Sequence, residues 1–245
     1  MDYETLFLKK YCTEMFAVSE LAARYTFGNK AVDEGKVRLI KNGIMVDDFV
    51  YNQDLRDKKR KELGLEEKFV VGHVGRFMQQ KNHMFLLEAF TKLREMRNDA
   101  RLILIGEGRL ENDIRSKIQE LNIEDAVTLL GRRSDVNELM QAMDVLMFPS
   151  LWEGFPNVAI EAQASALPVY MSENITTEAN FSQYSHRLSL DKGAEYWAKT
   201  IYENEMKPMD RIDMSKTMRE QGYDVVATAK WYENYYINKM KELGY

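Results

Sequence analysis

Cysteine is nearly absent: Cys12 is the only one in 245 residues. No intramolecular disulfide can form, and no metal site built from several cysteines can be assembled. A cytoplasmic setting is the expectation. Long apolar runs are missing too; none approaches the ~18 residues that a membrane span requires. Met1-Asp2-Tyr3-Glu4 has neither the basic nor the apolar region of a secretory leader. Peripheral contact with a membrane stays open through Trp231, Tyr232, Tyr235 and Tyr236 beside Lys230, Lys239 and Lys241. An excess of positive charge is lacking: 34 Lys and Arg against 39 Asp and Glu leave a net charge of -5. That is the opposite of a nucleic-acid-binding footprint, so no nucleic-acid partner is expected. Histidine is scarce, with three residues, and His73 falls inside an apolar run, as a structural residue rather than a base. What is present is ordinary for a folded protein, 45% hydrophobic and 30% charged residues, enough to bury a full core.

From residue 69 onward short apolar runs alternate with helical stretches. Phe69 to Val74, Arg101 to Ile105, Val127 to Leu130, Asp144 to Phe148 and Pro168 to Met171 read as strands. Apolar residues at helical spacing fill the intervals 82–97, 110–121, 136–143 and 157–166. This alternation specifies parallel pairing through right-handed crossovers, a doubly wound Rossmann-like α/β sheet. After residue 172 the sheet pattern ends, and helices are expected near 191–203 and 224–241 with a polar stretch from Lys207 to Ser215 between them. Before it, residues 4–11 and Leu21 to Phe27 read as helices, Gly28 as a stop, and Met15 to Val18 and Val37 to Ile40 as short strands. Three segments follow: 1–35, a remnant of a preceding domain and its linker; 36–223, the α/β domain; and 224–245, a terminal crossing helix.

In such a sheet, ligands sit beyond the carboxyl ends of the strands. After Val74 come Gly75, Arg76 and Lys81, a glycine where backbone can approach a ligand and two cations suited to a diphosphate. Gly106-Glu107-Gly108 is a tight turn and not a dinucleotide fingerprint, because Glu111 stands where the third glycine should fall. After the third strand, Gly131-Arg132-Arg133 offers a basic mouth position. After the fourth, Glu153-Gly154-Phe155-Pro156-Asn157 leads into a helix carrying Glu161. Pro156 suits the first helical turn. The amides from Gly154 to Asn157 are expected to be unpaired donors that attract an anion. Glu153 and Glu161 can each grip a pair of vicinal hydroxyls.

With Lys41-Asn42-Gly43-Ile44, Leu167-Pro168-Val169 and Ser172, these motifs resemble the carboxy-terminal half of the retaining glycosyltransferases of GT-B architecture (family 4, glycosyltransferase group 1). Leu188-Ser189-Leu190 and Trp197-Ala198 look like the members that build bacterial capsular or extracellular polysaccharide. The resemblance implies a nucleotide-sugar donor, UDP-linked by analogy with that branch, and a glycan or lipid-linked acceptor. It implies retention and no metal or other cofactor. Arg76 and Lys81 would hold the diphosphate, Glu153 the transferred sugar, Glu161 the ribose, and Arg132 would lie near the base. Most of the amino-terminal acceptor domain of that architecture has no counterpart here, so two further readings are carried. One is a truncated, non-catalytic nucleotide-sugar-binding module, and the other a UDP-sugar epimerase of the same architecture. Loss of part of its partner would expose the apolar face of the 224–241 helix, with self-association as the consequence.

Overall fold

Phe69–Val74 is buried along its whole length, as a strand covered on both faces must be. It is the centre around which the larger part of the chain is wound. The computed structural model describes residues 11–207 and 209–244, so the helix expected over 4–11 lies almost wholly outside the described residues. The elements run β1 (Met15–Ala17), α1 (Glu20–Phe27), α2 (Asn29–Asp33), β2 (Val37–Leu39), α3 (Gln53–Leu63), β3 (Phe69–Val74) and α4 (His83–Met96). There follow β4 (Ala100–Ile105), α5 (Glu111–Glu120), β5 (Val127–Gly131), α6 (Val136–Ala142), β6 (Val145–Phe148) and α7 (Asn157–Ala164). The chain continues through β7 (Val169–Ser172), β8 (Ser185–Leu188), α8 (Gly193–Asn204), α9 (Ser215–Glu220) and α10 (Val225–Glu242).

The chain divides into two compact units, Asp48–Met214 on the one hand and Met1–Asp47 with Ser215–Tyr245 on the other. These bounds differ from the segments drawn at 35/36 and 223/224. The two ends of the chain join because Ile44 bridges Asp224 in parallel and Phe16 packs edge-on against Trp231 and Tyr235 at 6.1 and 5.3 Å.

In the larger unit the sheet order is β5-β4-β3-β6-β7-β8, with every pair parallel. The chain winds outward from β3 through β4 to β5, then returns and winds the other way from β6. The winding therefore reverses between β3 and β6, the switch point at which open α/β sheets bind ligands. Leu86, Leu87, Phe90 and Leu93 of α4, Ile114 and Ile118 of α5, and Trp197 and Ile201 of α8 are buried in the core that covers it. A Cβ on Gly72 would lie 2.1 Å from the Met143 sulfur, so a larger residue there would force the Met143 side chain to move.

The doubly wound α/β expectation holds, but the sheet does not end at residue 172. Ser185–Leu188 adds an edge strand beside β7. Its sequence, Ser-His-Arg-Leu, hides it, since an edge strand needs no continuous apolar run. His186 stacks on Tyr170 at 4.6 Å, and Arg187 donates to the Ile175 carbonyl at 2.9 Å. The helix α9 was not expected; it begins at Ser215, where the stretch read as polar ends.

The smaller unit pairs β1 with β2 in parallel. Ser19 caps α1 by accepting from the Ala22 amide at 3.1 Å, and Gly28, at φ 80°, stops it as expected. No residue of α10 is buried. Among the described residues, no helix is long and apolar enough to cross a membrane.

Candidate functional site

The loop after β3 and the loop after β6 meet through side chains 72 residues apart in sequence. Lys81 Nζ lies 2.7 Å from Glu153 Oε1, with both side chains largely covered, 14% and 9% exposed. Gln80 Nε2 donates to Glu153 Oε2 at 3.2 Å and to the Trp152 carbonyl at 2.8 Å. In return the Gln80 carbonyl accepts from the Leu151 amide at 2.8 Å, and Asn82 Nδ2 donates to the Pro149 carbonyl at 3.2 Å. The two strand ends of the switch point are thereby laced together.

The Lys81 stem is tightly housed. A Cβ on Gly75 would approach its Cε, Cδ and Cγ at 3.0 to 3.2 Å, and its ammonium sits 4.6 Å from the centre of the Phe148 ring. Beneath lies a set of buried rings. Phe148 stacks on His73 at 6.2 Å, His73 meets His83 edge-on at 4.7 Å, and His83 meets Phe77 at 5.0 Å. His73 Nδ1 is 2.9 Å from the Met147 carbonyl, which makes that nitrogen the donor of a neutral ring. Burial, and then the neighbouring His83, push its pKa well below the usual range. Burial and the Lys81 charge push His83 down to about 4. The structural reading of His73 matches this setting.

The glycines after β4 serve the packing of the loop. A Cβ on Gly106 would fall 2.0 Å from the Gly75 carbonyl oxygen, and one on Gly108 would fall 2.5 Å from that of Phe77. The Phe77 amide donates to the Glu107 carbonyl at 2.9 Å, and the Phe77 carbonyl accepts from Leu110 at 3.1 Å. Backbone against backbone, this turn fixes the strand-end loop from which Lys81 projects.

The other expected residues stand apart from the ion pair. Arg76 is exposed, and its side chain makes no hydrogen bond or ion pair among the described residues. The Arg132 side chain is 84% exposed, with Glu107 at 4.0 Å. Glu161, half-buried on α7, has no hydrogen bond or ion pair at its carboxylate among the described residues, and burial raises its pKa. Two expectations need correction at the helix start. Pro156 is the residue before the first turn of α7, not within it. The amides do not stand as a row of unpaired donors: Asn157 donates back to the Phe155 carbonyl at 3.2 Å, and none of Gly154, Phe155 and Asn157 is without a partner. The short turn that brings Glu153 to Lys81 closes on itself. Lys81 and Glu153, assigned separately to phosphate and sugar, are here bound to each other. Gln80 was passed over; a neutral amide between Gln79 and Lys81 carries no signature of its own.

Comparison with known proteins follows the same lines. The family model described as glycosyl transferases group 1 matches residues 55–222. EpsF of Bacillus subtilis (strain 168) is 34% identical over 215 residues, covering 86% of this chain and 56% of that protein. The UDP-Gal:alpha-D-GlcNAc-diphosphoundecaprenol alpha-1,3-galactosyltransferase of Escherichia coli is 37% identical over 145 residues, 58% of this chain and 38% of the relative. Thus the chain spans roughly half, or less, of the length of these relatives. Among solved structures, Anabaena HepE in complex with UDP-glucose superposes with a TM-score of 0.79 at 21% identity, over 96% of this chain and 66% of that one. That likeness is one of fold, and it is the fold described above. On the family match across most of its length, this chain belongs to the group 1 glycosyltransferases.

Proposed function

We propose that the Asp48–Met214 unit binds the nucleotide-sugar donor of a retaining glycosyltransferase, with UDP as the nucleotide and a glycan or lipid-linked saccharide as the acceptor. The carrying observation is that a cation and a carboxylate from the two strands flanking the switch point meet there, Lys81 with Glu153 at 2.7 Å. A diphosphate calls for the cation and sugar hydroxyls for the carboxylate. The names of two similar proteins support the chemistry: UDP-glucose is bound in the HepE complex, and the E. coli relative is named for UDP-Gal and a diphosphoundecaprenol-linked acceptor.

In this reading Arg76, exposed and unengaged, takes the diphosphate together with Lys81. The two offset the charge that develops on the leaving nucleotide as the glycosidic bond breaks, and no metal is called for. Glu153 accepts from hydroxyls of the transferred sugar. Glu161 accepts from the ribose; its partly buried carboxylate lacks a donor among the described residues, and two vicinal hydroxyls would provide one. Arg132 lies toward the base. Transfer within polysaccharide assembly follows the family resemblance.

Calorimetric titration with UDP and UDP-sugars tests the reading. Glu161→Ala should weaken UDP binding by about 1–3 kcal/mol, the cost of unpairing the ribose hydroxyls. Chelator should leave the affinity where it was. Unchanged affinity in the Glu161 variant would remove the ribose assignment, and absence of any UDP or UDP-sugar binding would remove the donor site altogether.

A further inference from the structure

We propose that the Lys81–Glu153 ion pair is an exchangeable latch, retained on the Glu153 side by Gln80, that makes the site select a nucleoside diphosphate-sugar over the bare nucleoside diphosphate. The proposal rests on the donor reading above and gives that site a basis for telling substrate from product.

Each member of the pair is spent on the other. Lys81 reaches Glu153 Oε1 at 2.7 Å, and its stem is seated against Gly75, where a Cβ would crowd three of its carbons. A diphosphate that draws the ammonium away must break this contact. It then leaves Glu153, 8% exposed, with a single donor among the described residues, the Gln80 amide at 3.2 Å. A covered carboxylate stripped of its counter-charge is costly, far more so than the intact pair was worth. A ligand that carries only the diphosphate incurs that cost in full. A ligand that also carries a hydroxylated ring replaces the lost ammonium with hydroxyl donors, so the two halves of the donor each make the other's binding easier. Coupling of this kind is reciprocal by thermodynamic necessity.

Gln80 gives the latch its fixed side. Its amide holds both Glu153 and the Trp152 carbonyl, and its own carbonyl holds the Leu151 amide. None of these three contacts involves the Lys81 ammonium. When Lys81 leaves, the carboxylate is still held in place for the sugar. After transfer the sugar is gone, Glu153 is again short of donors, and Lys81 is drawn back from the diphosphate. Product release is thus favoured by the same pair that admitted the donor.

Titration calorimetry of the full chain with UDP, UDP-glucose, UDP-galactose and UDP-N-acetylglucosamine decides the matter. The wild type should bind its best UDP-sugar at least about tenfold more tightly than UDP, about 1.4 kcal/mol. Glu153→Gln removes the stranded charge, so UDP should bind several-fold more tightly while the UDP-sugar does not, and the preference should collapse. Parallel tightening of both ligands would mean simple relief of repulsion and would overturn the latch, as would unchanged UDP affinity. Gln80→Ala keeps every charge but takes away the donor that remains to Glu153 when Lys81 departs; it should weaken UDP more than the UDP-sugar, whose hydroxyls still reach the carboxylate, and so widen the preference. If Glu153→Gln does not fold, an unaltered preference in Gln80→Ala overturns the proposal by itself. A wild type that binds UDP as tightly as every UDP-sugar refutes the latch and leaves the nucleotide site standing; one that binds neither refutes the donor reading, and the latch with it.

Discussion

The two ends of the central sheet treat their arginines in opposite ways. At the amino ends of β3 and β6, every guanidinium is engaged. Asp144, just before β6, accepts from the Val70 amide at 2.6 Å and from Arg56 and Arg60. Arg211 donates to the carbonyls of Met140, Gln141, Met143 and Ser165 at 2.7 to 3.3 Å, and its guanidinium lies 4.3 Å from the centre of the Tyr51 ring. At the carboxyl ends, Arg76 and Arg132 stand in solvent. The difference follows from the direction of the chain. Helices return antiparallel to the strands, so their orphan carbonyls crowd the amino edge and their orphan amides the carboxyl edge. A cation at the first edge finds backbone acceptors at once; at the second, Lys81 and Arg133 are met by the side chains of Glu153 and Asp135, while Arg76 and Arg132 have no backbone acceptor among the described residues. Charge at one edge holds the fold, and at the other two arginines are left for a ligand.

The sharpest way to break this contrast is at Arg211. Arg211→Met should cost about 3–5 kcal/mol in urea denaturation, since it leaves a cluster of carbonyls without a donor. Its UDP affinity, measured where the variant is folded, should match the wild type. A loss confined to binding would invert the comparison.

Next in size is an acid effect beneath the site. His83 is lowered from 6.5 to about 4 by burial and by Lys81, and His73 shifts the same way. Their depressed folded values mean that the unfolded chain takes up protons first as pH falls. Stability is therefore complete above about pH 6.5 and is lost as pH falls toward 4, by roughly 3 kcal/mol for His83 alone. Denaturation midpoints between pH 7 and 4 should show this slope, and His83→Phe should flatten it. An equally steep slope in that variant would place the titration elsewhere.

Arg76→Ala comes third and probes the other side of the comparison. It should weaken UDP by about 1.5–3 kcal/mol, the range for a hydrogen bond to a charged group, and change stability by no more than about 0.5 kcal/mol. Uridine binding should be nearly unaffected; an equal loss for uridine would displace Arg76 from the phosphates. Arg132→Ala is the smallest step. From so exposed a position it should cost about 1 kcal/mol or less in UDP affinity, and a larger loss would bring this residue into direct contact with the ligand.

Much of this was readable in advance, and the exceptions have causes. β3, β4, β6 and β7 are apolar runs buried on both faces, and β5, at one edge and only half-buried, keeps an apolar run of its own, so all five carry their own announcement. β8 is an edge strand made of Ser, His, Arg and Leu, so the signal that marks the others is missing. α3, Gln-Asp-Leu-Arg-Asp-Lys-Lys-Arg-Lys-Glu-Leu, went unassigned because its buried positions are Lys59 and Arg60, long cations that lie inward to reach Asp135, Glu138 and Asp144. At the site, the type and loop of Lys81, Glu153 and Glu161 were legible from strand ends alone. Their pairing was not, because two positions 72 residues apart carry no record of their distance. The helix start misled for a local reason: Asn157 turns its amide onto Phe155, a choice made by backbone angles rather than by residue type.

Gly106 and Gly108 are the clearance between two stretches of main chain. A survey of random variants kept only for being folded would already show both positions as nearly invariant, before any selection for activity was applied. Invariance at this turn would thus record the tolerance of the scaffold, and a catalogue of activity-specific positions drawn up without that first, folding-only survey would credit the chemistry with a constraint that the main chain alone already imposes.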